Sequence, residues 1–463
     1  MTAQPVKEPL RAWVVVFAGT ACNLCLGILY AWSVWKKALV DKTKADAGVI
    51  MDGINAGWPY LTDAQGTVAY FLCGLTFAVF MIPGGKLQDK YGPKVGAILG
   101  GLFLAAGCII AGLMKSFPGL IIGFGILGGI GMGMGYAAST PAALKWFGTH
   151  RRGLIAGLVV GGYGGAALYI APLGQYLIDN YGISGSFIGL GIIFAVVVMI
   201  AGQFLSWPPA DYVPPGPKPK PKPESPNNEL GITWWDRLLA RALRRHVPWR
   251  DQKRAATKIT MEDWPPSEML TRWQYYALVL MFIGSAQSGL LVIANAAPIL
   301  AKTAGKLEFF AQNAWIIAAF GGLVNASGRV GTGLYSDKIG RSNAYLANGI
   351  VSAVFLLATP FIIMMESVPL LFLATGIAYW QYGGGLALMP SFTADFFGSK
   401  HLGANYGLVF LGWGLGFLMP LMAGYIKDIT GSYNLSFYIS AAVLVAAVIL
   451  SRPTKRPSKT AKA

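Results

Sequence analysis

Residues 84–94 read GGKLQDKYGPK, and residues 332–342 read TGLYSDKIGRS. Both stretches have the spacing Gly-x3-Asp-Lys-x-Gly, followed within two positions by a basic residue. The shared positions are Gly85, Asp89, Lys90 and Gly92 in the first copy and Gly333, Asp337, Lys338, Gly340 and Arg341 in the second. A motif repeated so far along the chain indicates a duplicated structural unit.

A second pair of segments shows the same duplication. WFGTHRRGLIAGLVVGGYG begins at Trp146, and FFGSKHLGANYGLVFLGWG begins at Phe396. Five glycines coincide in the two segments: Gly148, Gly153, Gly157, Gly162 and Gly164 align with Gly398, Gly403, Gly407, Gly412 and Gly414. The shift between these two segments is nearly the same as the shift between the first pair. The sequence therefore predicts two homologous halves in parallel orientation. Paired halves with a binding site at their interface are typical of secondary transporters.

Composition and the length of the apolar runs place both halves in a membrane. Of the 463 residues, 54% are hydrophobic and only 12% are charged, and the mean hydropathy is +0.52. Soluble domains carry about 25% charged residues. Apolar runs of bilayer-spanning length lie at roughly 12–35, 59–84, 95–114, 119–143, 153–178, 184–206, 274–298, 311–335, 343–365, 369–393, 404–426 and 434–451. We therefore expect an all-α polytopic membrane protein with twelve transmembrane helices in two pseudo-symmetric six-helix bundles.

The predicted spans divide the chain into three parts. Residues 1–206 form an N-terminal six-helix bundle, residues 207–273 a linker, and residues 274–463 a C-terminal six-helix bundle with a basic tail. The linker contains PPGPKPKPKPESP, which we expect to be extended. The following segment, WWDRLLARALRRHVPW, has Trp, Leu and basic residues at the spacing of an interfacial amphipathic helix. For this segment we favour a solvated loop helix that touches the inner leaflet over a regulatory module.

The formal charge of +17 follows the predicted topology. Lys and Arg cluster before the first span, in both Gly-x3-Asp-Lys-x-Gly loops, in residues 207–273 and in the tail. The alternate connections are poor in basic residues or balanced by acids. Because cytoplasmic loops carry such an excess, we expect both termini and the linker to be cytoplasmic, with the protein in a bacterial inner membrane. The charge indicates topology, and no nucleic-acid partner is expected.

No catalytic or metal site is indicated by the sequence. Cys22 and Cys25 form a CxxC pair inside the first span, but they lack polar surroundings and a second ligand pair. We interpret them as buried free thiols. The histidines, His150, His246 and His401, fall in predicted connections. With no carboxylate pair in the spans and no P-loop, we expect neither enzyme activity nor a cofactor.

The duplicated loops resemble the signature of the major facilitator superfamily. Three segments narrow the resemblance to its oxalate/formate antiporter branch, which includes bacterial monocarboxylate carriers. They are NLCLGILYAWSVW in the first span, KWFGTHRRGLIAGLVVGGYG across the fourth and fifth, and NASGRVGTGLYSDKIGR in the eighth. The resemblance covers both halves and fails only in residues 207–273. It implies the superfamily fold and transport of small organic anions by alternating access.

The resemblance also implies a binding site. In that branch, an arginine in the eighth span holds a small carboxylate between the halves, inside a cage of aromatic residues. Arg329 is similar in position to that arginine, and Asn325, one turn earlier, to its usual neighbour. Tyr30, Tyr136 and Tyr382 resemble the cage tyrosines of the first, fourth and tenth spans.

One departure from the branch concerns the eleventh span. The oxalate carriers place a lysine midway along it as a second cation for their dianion. The corresponding stretch here, YGLVFLGWGLGF, has no charge and only Trp413 near that position. Lys427 lies at the end of the span. The departure favours a substrate with one negative charge over oxalate.

The residue type at position 329 points to an anion independently of the resemblance. Arg329 lies in an uncharged run between Glu308 and Asp337, where a charge at the membrane midplane costs about 3 kcal/mol on insertion scales. An arginine stays protonated, and no counter-ion is evident in the other spans. We therefore expect a substrate carboxylate to pair with it through two parallel hydrogen bonds. The alternative is that Arg329 snorkels or binds backbone carbonyls. For Asn325 and the tyrosines, helix packing and interfacial belts are the alternatives.

We expect the glycines and the duplicated loops to allow the helices to move against one another. Glycine recurs every fourth residue at Gly125, Gly129 and Gly133 and again at Gly153, Gly157, Gly161 and Gly165. Such faces let helices approach closely and slide. Asp89 and Asp337 precede the third and ninth spans, where a carboxylate complements a helix N-terminus. We expect the two Gly-x3-Asp-Lys-x-Gly loops to latch the cytoplasmic side in one state, as a gating motif without a substrate ligand.

These observations predict a secondary active transporter of small monocarboxylates of the lactate, pyruvate, formate and acetate class, coupled to protons. Its partners are the carboxylate anion, a proton and the lipid bilayer, and we expect a monomer. Two alternatives stay open. One is exchange of the oxalate/formate type with a second cation, and the other is a sensor with a carrier fold, which requires an output in residues 207–273.

Overall fold

The computed structural model describes residues 8–148, 151–209, 211–215, 262–398 and 400–458. Within these ranges the regular secondary structure is helical, apart from two isolated β-bridges, Val40 with Leu61 and Ile50 with Pro59. Most of the predicted linker, including its Pro-rich stretch and its basic amphipathic helix, lies outside the described residues.

The described residues form twelve long helical segments. They are α1 (Leu10–Leu39), α2 (Asp63–Tyr91), α3 (Pro93–Met114), α4 (Phe117–Leu144), α5 (152–181), α6 (183–204), α7 (Trp273–Thr303), α8 (Trp315–Ile339), α9 (Arg341–Met364), α10 (Val368–Phe397), α11 (Leu402–Thr430) and α12 (Asn434–Leu450). Short helices cover Lys42–Asp46, Gly53–Asn55, Pro266–Met269 and Glu308–Gln312.

Most of these segments are long and apolar enough to cross a membrane. Eight helices of the described chain meet that criterion by length and composition, with α5 and α6 counted as one, and α12 is a shorter apolar helix. The two others, α8 and α10, are 25 and 30 residues long. They carry the glycines and polar residues of the site described below. The prediction of twelve membrane-spanning helices in two bundles is confirmed.

The duplicated loop folds the same way in both halves. Gly92 ends α2 with φ 89° and ψ 163°, and Gly340 ends α8 with φ 89° and ψ 150°. Only glycine adopts this conformation without strain. The next helix starts at the following residue, Pro93 or Arg341. We call the end of the molecule that carries these two turns, the start of α1 and the end of α12 the motif end.

Several helices depart from regular α-helical geometry within their length. A 3₁₀ turn at Gly27–Ala31 interrupts α1, a π-helical stretch at Ile121–Gly128 opens α4, and α11 is broken between Leu415 and Leu418. In α1, a Cβ at Gly27 would lie 2.3 Å from Ala166 Cβ, so only glycine permits this approach to α5. The irregular turn carries Tyr30 to the interface between the bundles.

The two bundles, α1–α6 and α7–α12, meet through α2 with α11, α5 with α8, and the last turns of α1 with α7. The space beside the glycines of α11 shows how closely α11 approaches α2. A Cβ added at Gly424, near the end opposite the motif end, would lie 2.5 Å from Thr67 of α2. At Gly407 the nearest atom, on Ile82, is 3.7 Å away, and at Gly403 nothing lies within 4 Å. Along this pair, the bundles are in tight contact at the opposite end and diverge toward the motif end.

Candidate functional site

Arg329 lies on α8 at the interface between the bundles, with only 5% of its surface exposed. Its guanidinium donates three hydrogen bonds. Nη2 donates to the Tyr30 hydroxyl of α1 at 3.1 Å, Nη1 to the Val160 carbonyl of α5 at 3.1 Å, and Nε to Asn325 Oδ1 at 3.2 Å. Two of these acceptors belong to the first bundle, so the guanidinium joins the two halves.

All three acceptors of Arg329 are neutral. Among the described residues, no carboxylate lies within ion-pair distance of the guanidinium. Removing a charge from water costs several kcal/mol unless an opposite charge and further hydrogen bonds compensate for it. Dipoles of a hydroxyl, an amide and a carbonyl compensate only in part. The site therefore retains one positive charge that an anion would neutralise.

A chain of hydrogen bonds extends from Arg329 across the interface. The Tyr30 hydroxyl, which accepts from Arg329, lies 2.8 Å from the Tyr382 hydroxyl of α10. Trp413 Nε1 of α11 in turn donates to the Tyr382 hydroxyl at 2.8 Å. Four helices from both bundles thus fix the orientation of the guanidinium, and all four side chains are buried.

The cavity in front of Arg329 is small and aromatic. Its volume is about 10 Å³, and its lining consists of Tyr30, Phe77, Tyr136, Tyr163, Arg329, Leu386, Phe410 and Trp413. Ring centroids across it are close: 4.8 Å for Phe77 and Trp413, and 5.2 Å for Tyr136 and Tyr163. A space of this size holds about one water molecule. An organic anion can enter only after the rings move apart.

The structure brings the residues predicted for the site together, but some line the cavity and others lie behind it. Arg329, Tyr30 and Tyr136 line the cavity. Tyr382 lies behind Tyr30 and holds its hydroxyl, and Asn325 is fully buried behind the guanidinium, where it accepts from Nε. Asn325 and Tyr382 are therefore placed to position the guanidinium and Tyr30, not to face the cavity.

Sequence reasoning missed four residues that line the cavity, of which one is Leu386 and three are aromatic. Phe77 of α2, Tyr163 of α5 and Phe410 of α11 contact one another or the predicted tyrosines. Phe77 and Phe410 are apolar residues in apolar spans and give no signal. Tyr163 lies in the duplicated glycine-rich segment, aligned with Trp413, and that alignment could have identified it.

Comparison with known proteins decides the family. The family model described as Major Facilitator Superfamily matches residues 13–375 and 310–463. The chain belongs to the major facilitator superfamily. Its relatives are membrane transporters, and the expectation of a multi-pass transporter instead of an enzyme is confirmed.

Two curated relatives and one solved structure illustrate the similarity. The chain is 25% identical over 460 residues to an oxalate:formate antiporter of Oxalobacter formigenes, covering 97% of this chain and 94% of that one. It is 24% identical over 399 residues to human monocarboxylate transporter 12, covering 81% of this chain and 71% of that one. A crystal structure of a D-xylose-proton symporter superposes with a TM-score of 0.64 at 14% identity over 97% of this chain and 99% of that one. The structural likeness shows the fold alone.

The two superfamily motif loops differ in their contacts. In the second copy, Arg341 Nη1 lies 2.6 Å from Asp337 Oδ1 and donates to Ser336 Oγ at 2.5 Å. In the first copy, Asp89 and Lys90 are exposed. Within the described residues, neither Asp89 nor Asp337 forms an ion pair with the opposite bundle. Among the described residues, the motif loops therefore make no ion pair that would latch the halves together, and α2 and α11 diverge at the motif end.

A second buried cation lies near the opposite end, in residues 36–58, which the sequence placed between the first two spans. The predicted first span, roughly 12–35, stops short of Lys36, and that boundary is wrong because α1 continues to Leu39. Lys36 is 0% exposed, and its Nζ lies 3.1 Å from Asp63 Oδ1 of α2. Because the carboxylate neutralises the ammonium, the pair is buried at a far lower cost than a single charge.

The Lys36–Asp63 pair also joins the bundles. Lys36 Nζ donates to Asn295 Oδ1 of α7 at 2.6 Å and to the Tyr433 hydroxyl at 3.1 Å, and Tyr433 itself donates to Asp63. The carboxylate of Asp428, on α11, accepts from the backbone N–H groups of Asp63 and Ala64 at 2.9 and 2.8 Å. Together these contacts close the end of the molecule opposite the motif end.

The first testable prediction concerns the hydrogen bond between Tyr30 and Arg329. Tyr30→Phe leaves one buried guanidinium donor without an acceptor, which costs about 1–3 kcal/mol, so the thermal unfolding temperature in detergent should fall. Tyr70→Phe is the matched control, because the buried Tyr70 hydroxyl has no hydrogen-bond partner among the described residues. Tryptophan fluorescence during heating measures both. Equal unfolding temperatures for the two variants would contradict the role given to Tyr30.

Proposed function

We propose that the protein is a secondary active transporter of small monocarboxylates, of the lactate, pyruvate, formate and acetate class. The carboxylate binds to Arg329 between the two bundles and crosses the membrane by alternating access. The observation that carries this proposal is the buried guanidinium, which contacts both bundles and donates to neutral acceptors.

A carboxylate would replace weaker partners of the same guanidinium. Nη1 and Nη2 now donate to a backbone carbonyl and a phenol. A carboxylate accepts from both through two parallel, charge-assisted hydrogen bonds, which are about twice as strong as neutral ones. Because Val160 and Tyr30 belong to the first bundle, this exchange of partners couples substrate binding to the contact between the bundles.

The charge of the cavity favours a monoanion. Arg329 is the one cationic side chain that lines it among the described residues. Trp413 supplies an indole N–H to Tyr382 at the place where the resemblance expects a second cation. Asn325 and Tyr382 hold the guanidinium and Tyr30, while Tyr136 and the other rings enclose the apolar part of the substrate.

The coupling that fits this cavity is symport of the carboxylate with a proton. One anion and one proton together carry no net charge, so each transport cycle moves no net charge across the membrane. The relative named as an oxalate:formate antiporter favours anion exchange as the alternative. Exchange requires an anion on each side and no pH gradient.

The basic loops and tail orient the transporter in its membrane. The motif end carries the excess of Lys and Arg and, by the positive-inside rule, lies in the cytoplasm of a bacterial cell with both termini. The structure then represents a conformation closed toward the outside. Residues 1–206 and 274–463 are the moving bundles of a monomer, and residues 207–273 join them on the cytoplasmic side.

The second prediction tests the substrate and its ligand. Purified protein in proteoliposomes should take up labelled lactate, pyruvate or formate, faster when the outside is more acidic, and Arg329→Gln should abolish uptake because the buried cation is lost. Arg452→Gln, which alters an exposed arginine bonded to Asn343, is the matched control and should transport normally. Full transport by Arg329→Gln would contradict the site. Uptake that requires an anion inside the proteoliposomes and does not depend on the pH gradient would establish exchange.

The third prediction tests the count of charges. Trp413→Lys adds a second cation beside Arg329 and should raise uptake of labelled oxalate while lowering that of lactate. Trp413→Met removes the indole without adding charge and should lower lactate uptake with no gain for oxalate. A gain of oxalate uptake by the methionine variant, or none by the lysine variant, would show that charge does not set the specificity.

A further inference from the structure

A second cavity lies between the bundles at the end opposite the motif end. It has a volume of about 270 Å³, compared with about 10 Å³ in front of Arg329. We call it the outer cavity and define it by its charged and phenolic lining: Lys36, Lys37, Asp63, Lys302, Lys427 and Tyr433. Since a cavity of about 10 Å³ already holds one water molecule, the outer cavity has room for a small organic anion and several waters.

The lining of the outer cavity has an excess of positive charge. Four lysines face one carboxylate, that of Asp63. Lys36 is neutralised by Asp63 at 3.1 Å. Among the described residues, no carboxylate lies within ion-pair distance of Lys37, Lys302 or Lys427. Asp428 and Asp179 act on Lys427 and Lys37 only from beyond ion-pair distance, so three ammonium groups without a direct carboxylate partner remain for a ligand.

These three ammonium groups have hydrogen-bonding capacity to spare. An ammonium has three N–H donors. Lys427 donates to the Gly431 carbonyl at 2.5 Å, and Lys37 donates to the Ala311 carbonyl at 2.8 Å and to a second carbonyl at 3.3 Å. Lys302 is exposed and makes no hydrogen bond within the described structure. A cleft lined by one sign of charge concentrates counter-ions and accelerates their arrival.

We propose that the outer cavity is a second anion site, which captures the small carboxylate from outside before it reaches Arg329. The proposal rests on the proposed function for the substrate and for the orientation in the membrane. Lys37 comes from the first bundle, and Lys302 and Lys427 from the second, so the site spans the interface through which the substrate must pass. The buried pair of Lys36 and Asp63 closes its inner wall.

Cysteine labelling tests this site without relying on transport. Ser432 lines the outer cavity, and Ser432→Cys places a thiol there, whereas the native cysteines are all buried. An anionic methanethiosulfonate reagent should label this thiol about tenfold faster than a cationic one, with both rates corrected for reaction with a free thiol. Added lactate should slow the labelling.

Two further sets of lysine substitutions, each combined with Ser432→Cys, identify the side chains that cause the reagent preference and the protection by lactate. Lys302→Gln with Lys427→Gln should remove both the preference for the anionic reagent and the protection by lactate. Lys306→Gln, which changes an exposed lysine outside the cavity lining, should preserve both. An unchanged preference in the double variant, or no protection by lactate in the parent, would overturn the proposal.

The Arg329→Gln background separates this inference from the proposed function. If the outer cavity binds the anion itself, lactate protects the thiol introduced by Ser432→Cys in that background as well, although uptake is lost. Protection that disappears with Arg329→Gln would show that lactate acts from the central site, and it would refute the outer site. Full uptake by Arg329→Gln together with intact protection would refute the central site alone.

Discussion

A permanent positive charge, buried between two helical bundles with no carboxylate beside it in the described part of the chain, constrains the rest of this molecule. Arg329 is held by a phenol, an amide and a peptide carbonyl at 3.1–3.2 Å. Two of these groups come from the opposite bundle, so the contact between the halves and the placement of the charge depend on each other. The buried chain through Tyr30, Tyr382 and Trp413 extends this dependence to four helices. A ligand that takes over the guanidinium necessarily changes how the halves meet.

Lys36 and Arg329 are both buried cations, and they have opposite roles because only Lys36 has a carboxylate partner among the described residues. Lys36 is satisfied by Asp63, Asn295 and Tyr433, and these contacts seal the end opposite the motif end. The helix pair α2 and α11 diverges toward the motif end. The structure is thus closed on the side of the ion pair, with Arg329 at its centre. A transporter that alternates between two such arrangements must break the contacts of Lys36 and Asp63 with Asn295 and Tyr433 of the second bundle to open outward.

Sequence reasoning reached the fold and the identity of the central cation, and it failed where a side chain's partner lies far along the chain. The duplicated glycine turns and the apolar runs are local signals, and they predicted both bundles. Hydropathy is assigned to each residue separately, so it placed the end of the first span before Lys36. In the structure, Asp63 of the next helix offsets the cost of burying Lys36. Asn325 lies on the same face of α8 as Arg329, as the four-residue spacing predicts. That it supports the guanidinium and does not line the cavity follows only from the distances in the structure. Phe77 and Phe410 look like any other apolar residue of a span.

A structure of the protein with a bound monocarboxylate tests the central claim most directly, through the distances from Arg329 to the anion. The carboxylate oxygens should lie within hydrogen-bond distance of Nη1 and Nη2, with the contacts to the Val160 carbonyl and the Tyr30 hydroxyl lengthened or lost. The claim is contradicted if the saturating anion lies elsewhere while Arg329 keeps both of those contacts.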